Sequence, residues 1–262
     1  MAVLTYHAVD PEWSAPLSVG PDQFRRHLDW IGDNRRVVAL EETLTRRGHL
    51  AHHEVAITFD DGFTSVAKHA LPALRDRGMR ATIFLVGKML DGSGGTIDWV
   101  DRPPGHPLAV LDPAVIRELH DEGVEFGSHS YAHRDLTTLG FAACVEDLRR
   151  GRDVLQEILG KEVTMLAYPF GRHDAHVRRA AAEAGFTWAF AMAMPPRAHA
   201  SLAIPRVGIY PNDDLARLRM KTHSWYGRMR SSAIYPALHR IRARLRGGAA
   251  VDRRDGASGG PP

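Results

Sequence analysis

Short apolar segments alternate with amphipathic helical segments along most of this chain. The run "AVLTY" precedes "PDQFRRHLDWI", "RVVAL" precedes "EETLTRR", and "VAITF" precedes "TSVAKHALPALRDRG". Further apolar runs are "ATIFLV", "VEFGS", "VTMLAY", "TWAFA" and "RVGIY", and most of them are followed by a helical pattern. Strands that are buried on both faces and separated by helices are typical of parallel sheets. Seven or eight such repeats predict an α/β fold in which the sheet closes into a (β/α) barrel.

The size and composition of the chain suit one large domain. Its 262 residues, of which 44% are hydrophobic, can bury a single barrel core. No apolar run reaches the roughly 18 residues of a transmembrane helix, and "MAVLTYHAVD" lacks the regions of a secretory signal. We therefore expect a cytoplasmic protein. The single cysteine, Cys144, has no partner for an internal disulfide and is expected to be a buried structural thiol.

Side chains with catalytic or metal-binding chemistry follow several of the predicted strands. Because the carboxyl ends of barrel strands meet at one rim, these side chains should converge there. They are His7, the pair Asp60 and Asp61, the pair His129 and His133, and the segment Tyr168, Pro169 and Phe170.

The histidines and the paired carboxylates predict a metal site. Two histidines four residues apart lie on one face of a helical turn, and a carboxylate from a neighbouring strand completes three protein ligands, with a fourth position open for water. Gly62 permits a turn that could aim Asp60 and Asp61 into one cleft. Two alternatives remain open at this point: a pair of helix-capping aspartates and a pair of histidines on a surface helix.

Three motifs resemble those of the polysaccharide deacetylases, the NodB-homology group or carbohydrate esterase family four. They are "TFDDG", "SHSYAH" and "YPFG", and the similarity extends from about Val3 to about Arg217. The resemblance implies a distorted, NodB-like (β/α) barrel of about seven strands, related to the TIM barrel. It also implies that the first aspartate, Asp60, is the catalytic base. The divalent metal, usually zinc, would be held by Asp61, His129 and His133, and the backbone N–H of Phe170 would stabilise an oxyanion.

This chain departs from the family pattern at two places. Family members carry an arginine two residues before the proline of the third motif, where this chain has Ala167. Arg206, at the start of a late strand, is the best replacement for orienting the base, with a surface arginine as the alternative. The late family motif with the histidine acid is not recognisable either. We take His7 as the candidate acid, a structural histidine being the alternative, and His199 as a weaker choice.

Together these features predict a metal-dependent hydrolase that removes N-acetyl groups from an N-acetylated sugar or polysaccharide and releases acetate. The opening "TYHAV" is similar to the subgroup that acts on N-acetylglucosamine polymers. The alternatives are another amide hydrolase on the same scaffold, allantoinase-like or cleaving cyclic imides, and a catalytically silent carbohydrate-binding domain. The expected partner is an N-acetylated carbohydrate, while the oligomeric state has no sequence signal.

Three segments flank or interrupt the predicted domain, which we assign to residues 1–221. Residues 87–110 are rich in Gly, Pro and Asp and are expected to form an inserted loop beside the site. Residues 222–246 combine arginines with an apolar face, which predicts an amphipathic helix that packs on the barrel or contacts an anionic membrane surface. Residues 247–262 are expected to be disordered. The net charge of +3 is modest, so no specific nucleic-acid binding is expected.

Overall fold

The protein forms a closed barrel of parallel strands. A computed structural model describes residues 2–192, 201–223, 225, 226 and 229. The strands are β1 (Ala2–Tyr6), β2 (Ala8–Val9), β3 (Ser18–Val19), β4 (Arg36–Val37), β5 (Glu54–Phe59), β6 (Thr82–Leu85), β7 (Glu125–Ser128), β8 (Met165–Ala167), β9 (Trp188–Met192) and β10 (Ile204–Gly208). Neighbours follow the order β1-β10-β9-β8-β7-β6-β5, and β1 also pairs with β5. All these pairings are parallel. The predicted barrel of about seven strands is confirmed.

Of the strands in the described part of the chain, three short ones lie outside the closed ring. The segment "RVVAL" contributes only β4, which pairs in parallel with Glu54 and Val55 at the start of β5. The strands β2 and β3 pair with each other in a separate two-stranded sheet beside the carboxyl end of β1. The ring therefore contains seven of the eight strands that the sequence alternation suggested.

Helices cover the outside of the barrel. They are α1 (Pro21–Asn34), α2 (Leu40–Arg47), α3 (Leu71–Arg75), α4 (Pro113–Asp121), α5 (Phe141–Leu159), α6 (Ala175–Glu183) and α7 (Leu215–Lys221). The longest, α5, buries Cys144, Leu148 and Leu155, which recur at helical spacing along its inner face. It ends at Gly160, whose left-handed φ of 63° suits a residue without a Cβ.

Alternate residues of each strand enter two different parts of the core. Val55, Ile57 and Phe59 of β5 pack with the helices, whereas Ala56 packs with Phe84 and Phe190 of other strands inside the barrel. Thr58 continues the inner set and bonds the Thr5 hydroxyl of β1, with 2.8 Å between the two oxygens. Because side chains alternate between the two faces of a strand, Asp60 is the next residue after Thr58 in the inner set.

Several sequence expectations can be compared directly with this architecture. Cys144 is fully buried, and burial raises the pKa of its thiol to about 11, as fits a structural cysteine. Among the described residues, no helix is both long and apolar enough to cross a bilayer. The predicted basic helix over 222–246 lies outside the described residues except at positions 222, 223, 225, 226 and 229, and the predicted disordered tail over 247–262 lies outside them entirely.

We expect Glu125→Ala to destabilise the barrel. Helix α2 has Ala39 at its N-cap and no side-chain cap of its own, and Glu125 of β7 accepts the N–H groups of Leu40 at 2.7 Å and of Glu42 at 3.2 Å. The same carboxylate accepts the Thr82 hydroxyl at 2.7 Å. Loss of these bonds should lower the free energy of unfolding by about 1–2 kcal/mol in denaturant titrations.

The matched control is Glu118→Ala, at an exposed position of α4. It should change the free energy of unfolding by less than about 0.5 kcal/mol. Equal stabilities of the two variants would show that Glu125 does not cap α2.

Candidate active site

A cavity of about 530 Å³ opens at the carboxyl ends of the barrel strands. Its lining includes His7, Asp60, Asp61, His129, His133, Phe170 and Arg206, whereas Tyr168 and Pro169 do not line it and the weaker candidate His199 lies outside the described residues. The remaining wall is largely aromatic and aliphatic, with Trp13, Trp99, Met192 and Tyr210 among its members. A concave apolar site with a few convergent polar groups is the usual form of a small-molecule or catalytic site.

The two aspartates at the end of β5 differ in backbone conformation. Asp60 follows the strand, with its N–H bonded to the Tyr6 carbonyl at 3.0 Å. Asp61 has a left-handed φ of 69° and Gly62 one of 67°. A Cβ on Gly62 would lie 2.4 Å from Leu85 Cδ2, so this position excludes larger residues. The expected turn is thus built by two residues, and it brings both carboxylates into the cavity.

Arg206 binds Asp60 with both of its terminal nitrogens. The distances are 2.6 Å from Nη1 to Oδ1 and 2.8 Å from Nη2 to Oδ2, and both side chains are almost completely buried. The guanidinium also lies over the Phe84 ring, 5.2 Å from its centroid. Burial alone would raise the pKa of Asp60, but the Arg206 charge and its hydrogen bonds hold that pKa well below its usual value. Asp60 is therefore ionised at neutral pH.

Asp61, His129 and His133 form a cluster in which three potential metal-ligand atoms lie within 4.8 Å of one another. Asp61 Oδ1 is 3.8 Å from His129 Nε2 and 3.5 Å from His133 Nε2. All three residues are buried. Burial, and next the Asp60 charge, raise the pKa of Asp61 well above its usual value. A cation among these atoms would offset that cost.

The two imidazoles are suited to ligation. His129 Nδ1 is 2.7 Å from the Ala167 carbonyl, so Nδ1 carries the proton and Nε2 presents its lone pair to the cluster. Burial lowers the pKa of both rings, that of His133 to about 2, which keeps them neutral. Two neutral imidazoles and one carboxylate are a donor set that zinc commonly takes. The residues present therefore fit a divalent metal.

The prediction of a helical turn between the two histidines is wrong. Residues 129–133 form an irregular loop after β7 in which Ser130 has a φ of 66° and His133 one of 52°. The His133 N–H bonds Ser130 Oγ at 3.0 Å. Asp147 of α5 accepts the N–H groups of Tyr131 at 3.0 Å and of Ala132 at 3.2 Å. Hydrogen bonds to side chains, rather than a helix, bring His133 back toward His129.

His7 and Phe170 lie at the margin of the cluster. His7 is half-buried, and desolvation lowers its pKa to about 4, so its ring is neutral at neutral pH. Phe170 is 48% exposed, has a left-handed φ of 57°, and places its ring edge-on to His133 with 4.8 Å between centroids. The Phe170 N–H belongs to the first turn of a short helix, where N–H groups lack an intrahelical acceptor.

The inserted loop supplies a site residue that the sequence reasoning missed. Trp99 donates from Nε1 to Asp61 Oδ1 at 3.1 Å and stacks on His133 with ring centroids 4.6 Å apart. Trp13 anchors the far part of the same loop through Nε1, which donates to the Arg102 carbonyl at 2.7 Å. A tryptophan inside a Gly- and Pro-rich segment expected beside the site was the available signal, because loops seldom expose that side chain without a contact to make.

Comparison with known proteins agrees with the barrel fold. A family model described as polysaccharide deacetylase matches residues 47–189, which is more than half of the chain. The chain therefore belongs to the polysaccharide deacetylase family. Its fold is similar to that of the Streptococcus pyogenes deacetylase PplD in complex with acetate, with a TM-score of 0.72 and 23% identity, over 85% of this chain and 98% of that one.

Two curated relatives illustrate the level of sequence similarity. The Bacillus subtilis protein YxkH, provisionally named a polysaccharide deacetylase, is 26% identical over 190 residues, which are 71% of this chain. The aligned part spans only 62% of the length of YxkH. The poly-β-1,6-N-acetyl-D-glucosamine N-deacetylase of Staphylococcus aureus is 23% identical over 205 residues, covering 72% of this chain and 67% of the relative.

We expect Arg206→Met to destabilise the protein strongly, because it leaves Asp60 buried without its counter-charge. Breaking a buried ion pair on one side costs about 3–5 kcal/mol of unfolding free energy. The double variant Asp60→Asn, Arg206→Met should regain part of this loss. Denaturant unfolding of the metal-free parent, the single variant and the double variant measures the three free energies of unfolding.

Arg149→Met, on the exposed face of α5, is the control and should remain close to the parent. If Arg206→Met has the same free energy of unfolding as this control, Asp60 does not need the Arg206 charge to remain buried.

Proposed function

We propose that this protein is a metal-dependent hydrolase that removes N-acetyl groups from an N-acetylated sugar or polysaccharide and releases acetate. The observation that carries the proposal is the different pairing of two adjacent carboxylates. Asp60 is bound on both oxygens by Arg206, while Asp61 lies against the two histidines. One carboxylate is thereby kept available as a base beside a cluster that suits a metal, and family membership points to the same chemistry.

In this proposal Asp61, His129 and His133 hold the divalent metal, with zinc the best match to the donor set. When bound there, such an ion would supply a lowered pKa for a water molecule and polarisation of the substrate's amide carbonyl. Gly62 and the Asp147 carboxylate hold the backbone beside Asp61 and His133, and the Ala167 carbonyl accepts a hydrogen bond from His129 Nδ1. The ligand set is thus positioned by contacts independent of the substrate.

Asp60 is the proposed general base. Its low pKa keeps it ionised, and Arg206 fixes both of its oxygens at the inner face of the cavity. It lies 3.8 Å from His129 Nε2, close enough to the ligand cluster to accept a proton from the attacking water. Arg206 acts through Asp60 and is a positioning residue in this scheme.

Two further groups are proposed to complete the reaction. The Phe170 N–H would donate a hydrogen bond to the carbonyl oxygen as negative charge develops there. His7 would give a proton to the leaving amine. Because its pKa is about 4, the ring is neutral in the free protein, and the proton that it passes on must be one taken up during the reaction.

A polymeric substrate is supported by the shape of the rim. The main cavity shares Ala15, Pro16 and Tyr210 with an adjoining depression of about 440 Å³ lined by residues 14–16 and 210–212. One sugar unit could occupy the cavity while its neighbour lies in the depression. The Staphylococcus aureus relative is named for a poly-N-acetylglucosamine substrate, and we propose an N-acetylglucosamine polymer as the substrate class here.

Asp60→Asn should abolish most turnover while leaving the metal in place. Acetate release from N-acetylglucosamine oligomers should fall roughly 100-fold to 10,000-fold in kcat, the usual contribution of a positioned base. Asp121→Asn, at the exposed end of α4, is the control and should keep the parent rate. A parent-like rate for Asp60→Asn would exclude it as the base. An absence of acetate release by the parent from every oligomer length would contradict the proposed activity.

The metal assignment has its own test, independent of activity. The purified protein should hold about one divalent ion per chain, since three protein ligands converge on one open site. Elemental analysis should find that ion lost from His129→Ala and from His133→Ala but retained in His49→Ala, an exposed histidine outside the site. Equal metal contents in all four proteins would place the ion elsewhere.

A further inference from the structure

We propose that Trp99 is a positioning residue for the metal centre, which makes metal retention dependent on the inserted loop over residues 87–110. This inference rests on the metal site of the proposed function. It concerns a residue outside the three motifs, and it assigns to that loop a role in holding two of the three ligands as well as in covering the cavity.

Trp99 contacts two proposed ligands in different ways. Its indole N–H donates to Asp61 Oδ1 at 3.1 Å, and this same oxygen is 3.5 Å from His133 Nε2. Its ring stacks on His133 with a centroid separation of 4.6 Å and an interplanar angle of 28°. A carboxylate oxygen can accept an N–H bond and also ligate a metal, because each oxygen has two lone pairs. The contact is therefore compatible with ligation.

These two ligands lie further from regular secondary structure than His129 does. Asp61 and His133 both have left-handed backbone conformations, with φ values of 69° and 52°. His129, by contrast, follows β7 directly, and its Nδ1 is bonded to the Ala167 carbonyl. His133 Nδ1 is buried and makes no hydrogen bond within the described part of the chain. Its ring orientation is accordingly fixed by packing against Trp99 and the edge of Phe170 rather than by an outer hydrogen bond.

Trp99 is itself held from two directions. The Lys88 ammonium lies 4.9 Å from the centroid of the indole and is paired with Asp98 at 2.9 Å. The backbone N–H of Lys88 donates to the Tyr131 carbonyl at 2.8 Å. This bond joins the start of the inserted loop to the loop that carries His133. Beyond Trp99, Trp13 holds the Arg102 carbonyl. The indole is thus fixed between two anchored parts of the chain and can orient the ligands that it touches.

The test compares zinc affinity among single-residue variants of the full chain. Trp99→Leu removes the N–H and the stacking, whereas Trp99→Phe removes the N–H and keeps an aromatic ring. Zinc dissociation constants come from competition with a chromophoric chelator, with zinc alone as the probe. We expect Trp99→Leu to weaken binding about 10-fold to 100-fold, the range typical of residues that support metal ligands, and to release zinc faster. Trp99→Phe should show a smaller loss.

Trp13→Phe is the matched control, because it also removes an indole hydrogen bond to the inserted loop but touches no proposed ligand. It should weaken zinc binding less than either Trp99 variant, because the contacts of Trp99 with Asp61 and His133 remain. Thermal unfolding of the metal-free proteins reports folding separately, and Trp99→Phe keeps the test informative if Trp99→Leu fails to fold.

Three outcomes would overturn the inference, and they separate it from the proposed function. If the parent binds zinc and His133→Ala does not, while both Trp99 variants match the parent, only the role of Trp99 is wrong. If Trp13→Phe weakens zinc binding as much as the Trp99 variants, loop docking in general, and not Trp99, determines retention. If the parent binds no divalent ion, the metal site fails together with this inference.

Discussion

The electrostatic balance of the barrel rim depends on two neighbouring carboxylates that are buried at the end of one strand. Asp60 and Asp61 are 4% and 2% exposed, and two like charges at that depth repel each other strongly in a medium of low dielectric constant. The structure relieves the repulsion on one side only, through the bidentate contact of Arg206 with Asp60. The pKa of Asp61 remains raised, so the electrostatics of the rim distinguish two side chains that are chemically identical. The proposed division into base and metal ligand follows from this difference.

The sequence predicted the barrel and the composition of its rim well, for a reason that lies in parallel sheets. All strand ends of a parallel barrel meet on one side, so a residue that follows a strand can be assigned to the rim without any knowledge of strand order. Asp60, His129 and Phe170 were found in this way. Arg206 was found by the absence of an arginine at position 167, and it lies beside Asp60 although 146 residues separate them. A missing charge partner must be replaced from elsewhere in the fold, which makes such a gap informative.

Other features could not be predicted, because local patterns do not determine them. A spacing of four residues suits a helical turn and a compact loop equally, and the loop at 129–133 is set by Ser130 Oγ and by Asp147 of the following helix, α5. Four left-handed conformations at the rim fall on residues other than glycine, namely Asp61, Ser130, His133 and Phe170, and no sequence signal marked these four. The strand pairing that closes the barrel also depends on residues far apart in the sequence. The chain places β1 between β5 and β10, whereas the alternation alone allowed seven or eight strands.

The position of β1 has a consequence for how the molecule is made. Residues 2–6 pair with β5 on one side, which becomes possible early in synthesis, but their other partner, β10, is about two hundred residues further along the chain. Until the ribosome has released β10, the nascent sheet has open edges on β1 and on β9, and Asp60 lacks Arg206. Contacts so distant in sequence slow folding, and unpaired edges are prone to association with other chains. The Asp60–Arg206 pair therefore forms late in folding, because the guanidinium reaches the buried carboxylate only when β10 has entered the barrel. Closure of the barrel and neutralisation of Asp60 are thus one event.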